Sequence, residues 1–250
     1  MCTPRRITRI LLNKMSQQTN LKETNKASVL ESPEVLVEKI SGLEAYLEKN
    51  KKFISMIGLG LAAIIGGYFG YRWYIDGQNQ EAQEAMFQAV YYFEADSLDK
   101  ALKDGKGGRM GLLSIAENYG QTKAGNLANF YVGAIYLKKG KYQEAVDYLN
   151  SYSGNDLLVT ARAYCLTGDA YLELDNKEKA LEYYKKAALH APNKYFSPRY
   201  LMKAAFVQEL MKNYDDAINT YTQITEKYFD SQESADAKKL RARLQQMTGK

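Results

Sequence analysis

The chain is expected to be all-α, with one transmembrane helix followed by a solenoid of paired helices. Three observations predict this. Phe53 to Tyr71 is a run of 19 residues without a charged side chain, in a 250-residue protein whose mean hydropathy is −0.46. A small residue recurs 35 positions on, from Gly133 to Gly168, and Tyr136 to Tyr171 keeps the same step. Further along, Ala145-Val146-Asp147-Tyr148-Leu149 is matched by Ala180-Leu181-Glu182-Tyr183-Tyr184, again at a step of 35.

The apolar run comes first in the chain. At 1.5 Å per residue it extends about 28 Å, close to the roughly 30 Å of bilayer hydrocarbon. Lys49, Lys51 and Lys52 flank one end, whereas Tyr68, Tyr71, Trp73 and Tyr74 crowd the other, where amphipathic rings favour the interface. Positive charge is retained on the cytoplasmic side, so residues 53–75 read as an uncleaved signal anchor with the N-terminus inside. A cleavable signal peptide would place a shorter apolar core near the N-terminus and end it in a small-x-small site. Within the run Gly58, Ala62, Gly66 and Gly70 put small residues on one helix face, a surface suited to dimerisation or to docking on another membrane helix. Glycine is also common in spanning helices without such a role, so both explanations stand.

Residues 1–31 are polar, with little apolar periodicity, and are expected to be a disordered cytoplasmic tail. From Ser32 a capping residue, Pro33 in the first turn and Leu36, Ile40, Leu43 and Leu47 at helical spacing predict an amphipathic juxtamembrane helix over 32–52.

Beyond the anchor the repeats dominate. A third copy carries Ala204-Ala205, then Asn213-Tyr214-Asp215-Asp216-Ala217, with Ala217 lying 37 residues after Ala180. In such a pattern a small residue lets two helices approach while a large one a turn away fills the gap beside it. Gly133 and Gly168 serve the first helices and Ala145, Ala180 and Ala217 the second, with Tyr136, Leu149, Tyr171, Tyr184 and Tyr221 as fillers. This small-aromatic spacing with a period near 34 resembles the tetratricopeptide repeat over residues 126–230. Residues 76–125 read as a degenerate leading repeat, with Ala89, Tyr92 and Ala101 in place, followed by a Gly-rich insertion or a short irregular helical pair around Leu112, Leu113 and Ile115. Residues 231–250, with Ala237, Leu240, Leu244 and Met247, read as the capping helix that such arrays require.

A Lys-flanked anchor followed by this array, with Tyr119-Gly120-Gln121-Thr122-Lys123-Ala124-Gly125-Asn126 between them, also resembles the bacterial ancillary translocon-subunit family. That resemblance implies an inner-membrane protein with a periplasmic repeat domain, associated with the secretion channel and with periplasmic chaperones. Some cytosolic repeat proteins grip a carboxylate with one Lys and two Asn. Here Phe130 and Ala134 occupy the corresponding places, so that clamp is missing, and Arg199 and Lys203 match one fragment of it.

Other functions are disfavoured by what the residues lack. The net charge of +5 resides in the tail and at Arg72, since residues 73–250 carry 23 basic and 23 acidic side chains. A nucleic-acid interface needs a concentrated basic face, and no such surplus exists there. One His and two Cys cannot supply a His-based metal site, and no cofactor is expected. His190 ends a second helix before Ala191-Pro192, where a cation suits the helix dipole, and Cys165 has no histidine near it in the pattern to act as base. Gly105-Lys106-Gly107-Gly108-Arg109 lacks the order of a phosphate loop. An enzyme is therefore not expected.

Stacked helix pairs line a concave side with their first helices. Projected onto this chain, that side carries Phe130, Ala134, Leu137, Arg162, Cys165, Asp169, Arg199, Met202 and Phe206, a mixed lining suited to protein segments. Phe130 and Phe206 fit the core equally well. Two functions follow: an interaction module assisting secreted chains at the membrane, or a self-associating scaffold of envelope assembly or division that uses the small-residue stripe.

Overall fold

The computed structural model describes residues 46–105, 107–190 and 192–249. Among them every regular element is an α-helix. They run α1 (Lys51–Glu94), α2 (Leu98–Leu102), α3 (Leu112–Asn118), α4 (Lys123–Lys138), α5 (Tyr142–Ser151), α6 (Val159–Glu173), α7 (Lys177–Leu189), α8 (Ser197–Leu210), α9 (Tyr214–Lys227) and α10 (Ser234–Thr248). The expected tail, and the juxtamembrane stretch with Leu36, Ile40 and Leu43, lie outside the described residues.

The chain divides into two units, Met1–Gly70 and Tyr71–Lys250. In the first, helix α1 presents Phe53, Met56, Leu59, Ile64 and Phe69 outward, and an added Cβ at Gly58, Gly66 or Gly70 meets nothing within 4 Å. Among the described residues α1 is the one helix long and apolar enough to cross a membrane, by length and composition. The anchor expected at 53–75 and the first helix of the leading repeat are one unbroken helix to Glu94, because no proline interrupts them.

In the second unit the helices pair in chain order, α4 with α5, α6 with α7, α8 with α9, and α10 closes the end against α9. The pairing depends on two glycines. A Cβ on Gly133 would lie 2.6 Å from Leu149 Cγ, and one on Gly168 would lie 2.8 Å from Tyr184 Cδ1 and Cε1. Ala145, Ala180 and Ala217 are fully buried opposite, so each pair meets small residue against large side chain on both sides.

Each first helix ends in the same turn. Asp96, Gly140, Asp175 and Lys212 have φ of 53°, 72°, 56° and 61°, and the amide after each donates to a carbonyl five residues back: Ser97 to Tyr92, Lys141 to Tyr136, Asn176 to Tyr171 and Asn213 to Gln208, at 2.8–2.9 Å. This six-to-one closure satisfies orphan carbonyls of the ending helix and aims the next one back along it. It occurs in the leading pair too, although α2 is only five residues long.

The returning loops are longer and are held by side chains. In the loop before α6, Asp156 accepts from the amides of Leu158 and Val159 and from the hydroxyls of Tyr152 and Thr160 at 2.6–3.0 Å. Burial pushes its carboxyl up, but these four bonds outweigh that and hold it at about 2, below the ordinary 3.8. His190 caps the C-terminal end of α7, and its Nε2 meets the Asp156 carbonyl at 2.8 Å.

The core comes in successive clusters, as stacking requires. One gathers Ala82, Met86, Ala101, Leu112, Ile115 and Ile135 of the leading part; another gathers Cys165, Tyr184, Tyr200, Tyr221, Ile224 and Leu244 toward the end. Of the residues that mark the capping helix, Ala237 and Leu244 are buried and Met247 is exposed.

Two measurements check these packing arguments. Gly168→Ala gains about 1 kcal/mol of helix propensity but overpacks a buried ring at a cost of about 1–3 kcal/mol. Thermal unfolding of the purified chain should show a net loss, whereas Gly77→Ala, with nothing within 4 Å, should show none. Because the Asp156 carboxyl is held below its unfolded value, its contribution is present above the ordinary carboxylate range and vanishes as pH falls through about 2. Asp156→Asn should accordingly lower the melting temperature near neutral pH, with the deficit closing as pH drops below 4.

Candidate partner-docking cleft

First helices α4, α6 and α8 lie side by side, and an open cleft of about 440 Å3 runs across them. Leu137 at the end of α4, Tyr142 at the start of α5, Asp169, Leu172 and Glu173 on α6, Tyr184 on α7, and Lys203 and Phe206 on α8 line it. Asp169 and Leu172 share one α6 face by their spacing of three, so the cleft is polar beside apolar from the sequence upward.

Its floor is a bonded triad. The Tyr184 ring is buried against Gly168, which leaves its hydroxyl needing a partner, and it donates to Asp169 Oδ1 at 2.6 Å. Lys203 Nζ donates to the same oxygen at 2.6 Å and lies over the Tyr184 ring, 5.4 Å from its centroid. Burial first, and the bond to Asp169 second, push the Tyr184 hydroxyl well above its ordinary range, so it stays a donor. The next pair repeats this arrangement: buried Tyr221 donates to Glu209 at 2.7 Å, and Arg243 pairs with Glu209. In both cases the acid and the cation are 34 residues apart, one repeat step.

Of the nine residues projected onto the concave side, the cleft collects Leu137, Asp169 and Phe206. Arg162 and Arg199 are exposed, and Arg199 pairs with Glu233 at 3.4 Å. Phe130 is half-buried against the rings of Tyr131 and Tyr152, and Met202 is half-buried on the terminal core cluster. Two of the nine are corrected. Ala134 is buried with Leu149, Ala163 and Leu166, and Cys165 is fully buried within the terminal core cluster. Both are small side chains at points where adjacent first helices touch, so the helices close over them. Burial pushes the Cys165 thiol up to about 12, which leaves it unreactive. Tyr142, Leu172, Glu173, Tyr184 and Lys203 were not projected; Leu172 is reachable by helical spacing from Asp169, but no local pattern signals that Tyr184 would reach across from the second helix.

The repeats themselves are found in known proteins. Models of the tetratricopeptide repeat match residues 133–194 and 199–231. A protein of Guillardia theta, described as "Uncharacterized protein ycf37", is 30% identical over 129 residues, covering 50% of this chain and 71% of that protein. The chain belongs to the tetratricopeptide-repeat family, and it is a protein–protein interaction module.

The triad separates residues that hold the fold from those that only line the cleft. Asp169→Ala leaves the buried Tyr184 hydroxyl without its acceptor and should cost about 1–3 kcal/mol in denaturant unfolding. Phe206→Ala removes a half-exposed ring and should stay within about 0.5 kcal/mol of the parent.

Proposed function

We propose that the protein is a membrane-anchored docking module that holds an extended segment of another protein across α4, α6 and α8. It acts at the outer face of a bacterial inner membrane, N-terminus inside, assisting chains that emerge from the secretion channel and the periplasmic chaperones that receive them. The observation that carries the docking role is the composition of the cleft: Leu137, Leu172 and Phe206 offer apolar contact beside the ionic groups of Asp169, Glu173 and Lys203. Such a lining takes up alternate side chains of a peptide and pairs with its polar groups, whereas a site for a small anion would concentrate one charge. The stated side is supported by Lys49, Lys51 and Lys52 before the apolar run against Arg72 alone after it.

Two experiments test this. A photoreactive amino acid at Phe206 in the full chain, in living cells, should crosslink to secreted polypeptides, a channel subunit or a chaperone. The same probe at Asp175, in the turn between α6 and α7, should not. Equal labelling from both positions overturns the docking role. Protease should spare the repeats in intact cells and digest them in spheroplasts; digestion only after the inner membrane is opened overturns the topology.

A further inference from the structure

The two edges of the repeat unit differ in chemistry. On one edge lie the turns from first to second helix, with Asp96, Lys139, Gly140, Asp175 and Lys212 exposed, and only Leu174 and Leu210 interrupt the polar row. On the other lie the returning loops, and these are apolar at their tips. Leu157 and Leu158 before α6, Leu189 at the end of α7, Tyr195 before α8 and Phe229 before α10 are 55–72% exposed. None of these five side chains completes a core, and each lies in the returning loop of its repeat or, for Leu189, at the helix end beside it.

This edge is physically continuous. Asn126 at the start of α4 exchanges two hydrogen bonds with Ser153 of the next loop, at 2.7 and 2.8 Å. The following loop is tied on by His190 to the Asp156 carbonyl, and the last by Lys194 to Asp230 at 2.9 Å. At its beginning the Tyr71 hydroxyl donates to Gln121 Oε1 at 2.7 Å, in the loop before α4. Tyr71, Trp73 and Tyr74, all more than half exposed, are the aromatic residues with which the apolar run ends, and they belong to this same unit.

We propose that this edge rests on the lipid bilayer. The aromatic residues at Tyr71, Trp73 and Tyr74 mark the level of the interface, and the loop tips carry that level along the array: Leu157 and Leu158, then Tyr195, then Phe229. Large apolar and aromatic side chains at a polar boundary insert to a depth of about 5–10 Å in the headgroup and acyl boundary. Two ion pairs lie on the edge, Lys194 with Asp230 and Arg199 with Glu233, so the attachment is made chiefly by the apolar tips between them. The consequence for function is orientation: a repeat unit held by its edge presents the cleft across α4, α6 and α8 at a set height above the membrane.

The inference rests on the anchor part of the proposed function, and one experiment separates the two. Trp73 is the only tryptophan, so the full chain is reconstituted in phosphatidylcholine vesicles containing brominated acyl chains, which quench tryptophan on contact. Three further chains carry Trp73→Phe with Phe229→Trp, with Tyr195→Trp, or with Asp175→Trp on the polar edge. We expect both edge tryptophans to be quenched to about half or more of the Trp73 level, unchanged by salt, and the tryptophan at 175 to be unquenched. Edge tryptophans quenched no more than the one at 175 overturn the proposal while leaving the anchor intact. Edge tryptophans protected from acrylamide yet untouched by bromolipid also overturn it, since a second copy of the chain then covers them. Absence of quenching at Trp73 itself overturns the anchor, and the edge assignment with it.

Discussion

The repeat unit depends on close approach within each helix pair, enforced where Gly133 faces Leu149 and Gly168 faces Tyr184. Neither helix of a pair can bury its apolar stripe alone, and short helices of 10–16 residues are marginal in water without a partner. Contact at these glycines brings the second helix close enough for Ala145 and Ala180 to be sealed from solvent. The left-handed residue at each turn follows from the same demand, because two helices this close cannot be joined unless the chain reverses at once.

Packing at the glycines also creates the polar architecture of the cleft. Seating the Tyr184 ring against Gly168 drives its hydroxyl toward the concave side, where an unpartnered oxygen would be costly. Asp169 accepts it, and Lys203 from the neighbouring first helix neutralises Asp169. Stability within one pair and adhesion between pairs therefore share one carboxylate. Tyr221, Glu209 and Arg243 do the same a step later, which turns α10 into a continuation of the array and not merely a cover. Because Asp169 and Lys203 already serve the fold, discrimination in the proposed docking mode would pass to the side chains around them, Phe206 and Leu172.

Much of this was legible in the residues. Gly133, Gly168, Ala180 and Ala217 reveal the pairing by spacing alone, since a step near 35 is set by the length of two helices and two turns. The returning loops were not legible, because the residue types at Ser153, Asp156, His190 and Lys194 do not recur from one loop to the next, and their bonds join different repeats. The cleft lay between these extremes. Leu137, Asp169 and Phe206 follow from helical phase, whereas Ala134 and Cys165 follow the same phase and end in the core.

By itself the sequence determined the class of fold, the register of its helix pairs, and the apolar run of membrane length, because each is written in the order of large, small and charged residues along one helix. The tertiary structure alone decided which first-helix residues stay open to a partner and which edge is apolar. Both depend on how neighbouring repeats rotate against each other, and that rotation is set by contacts between residues 34 apart, two of them between side chains and one from a side chain to a carbonyl.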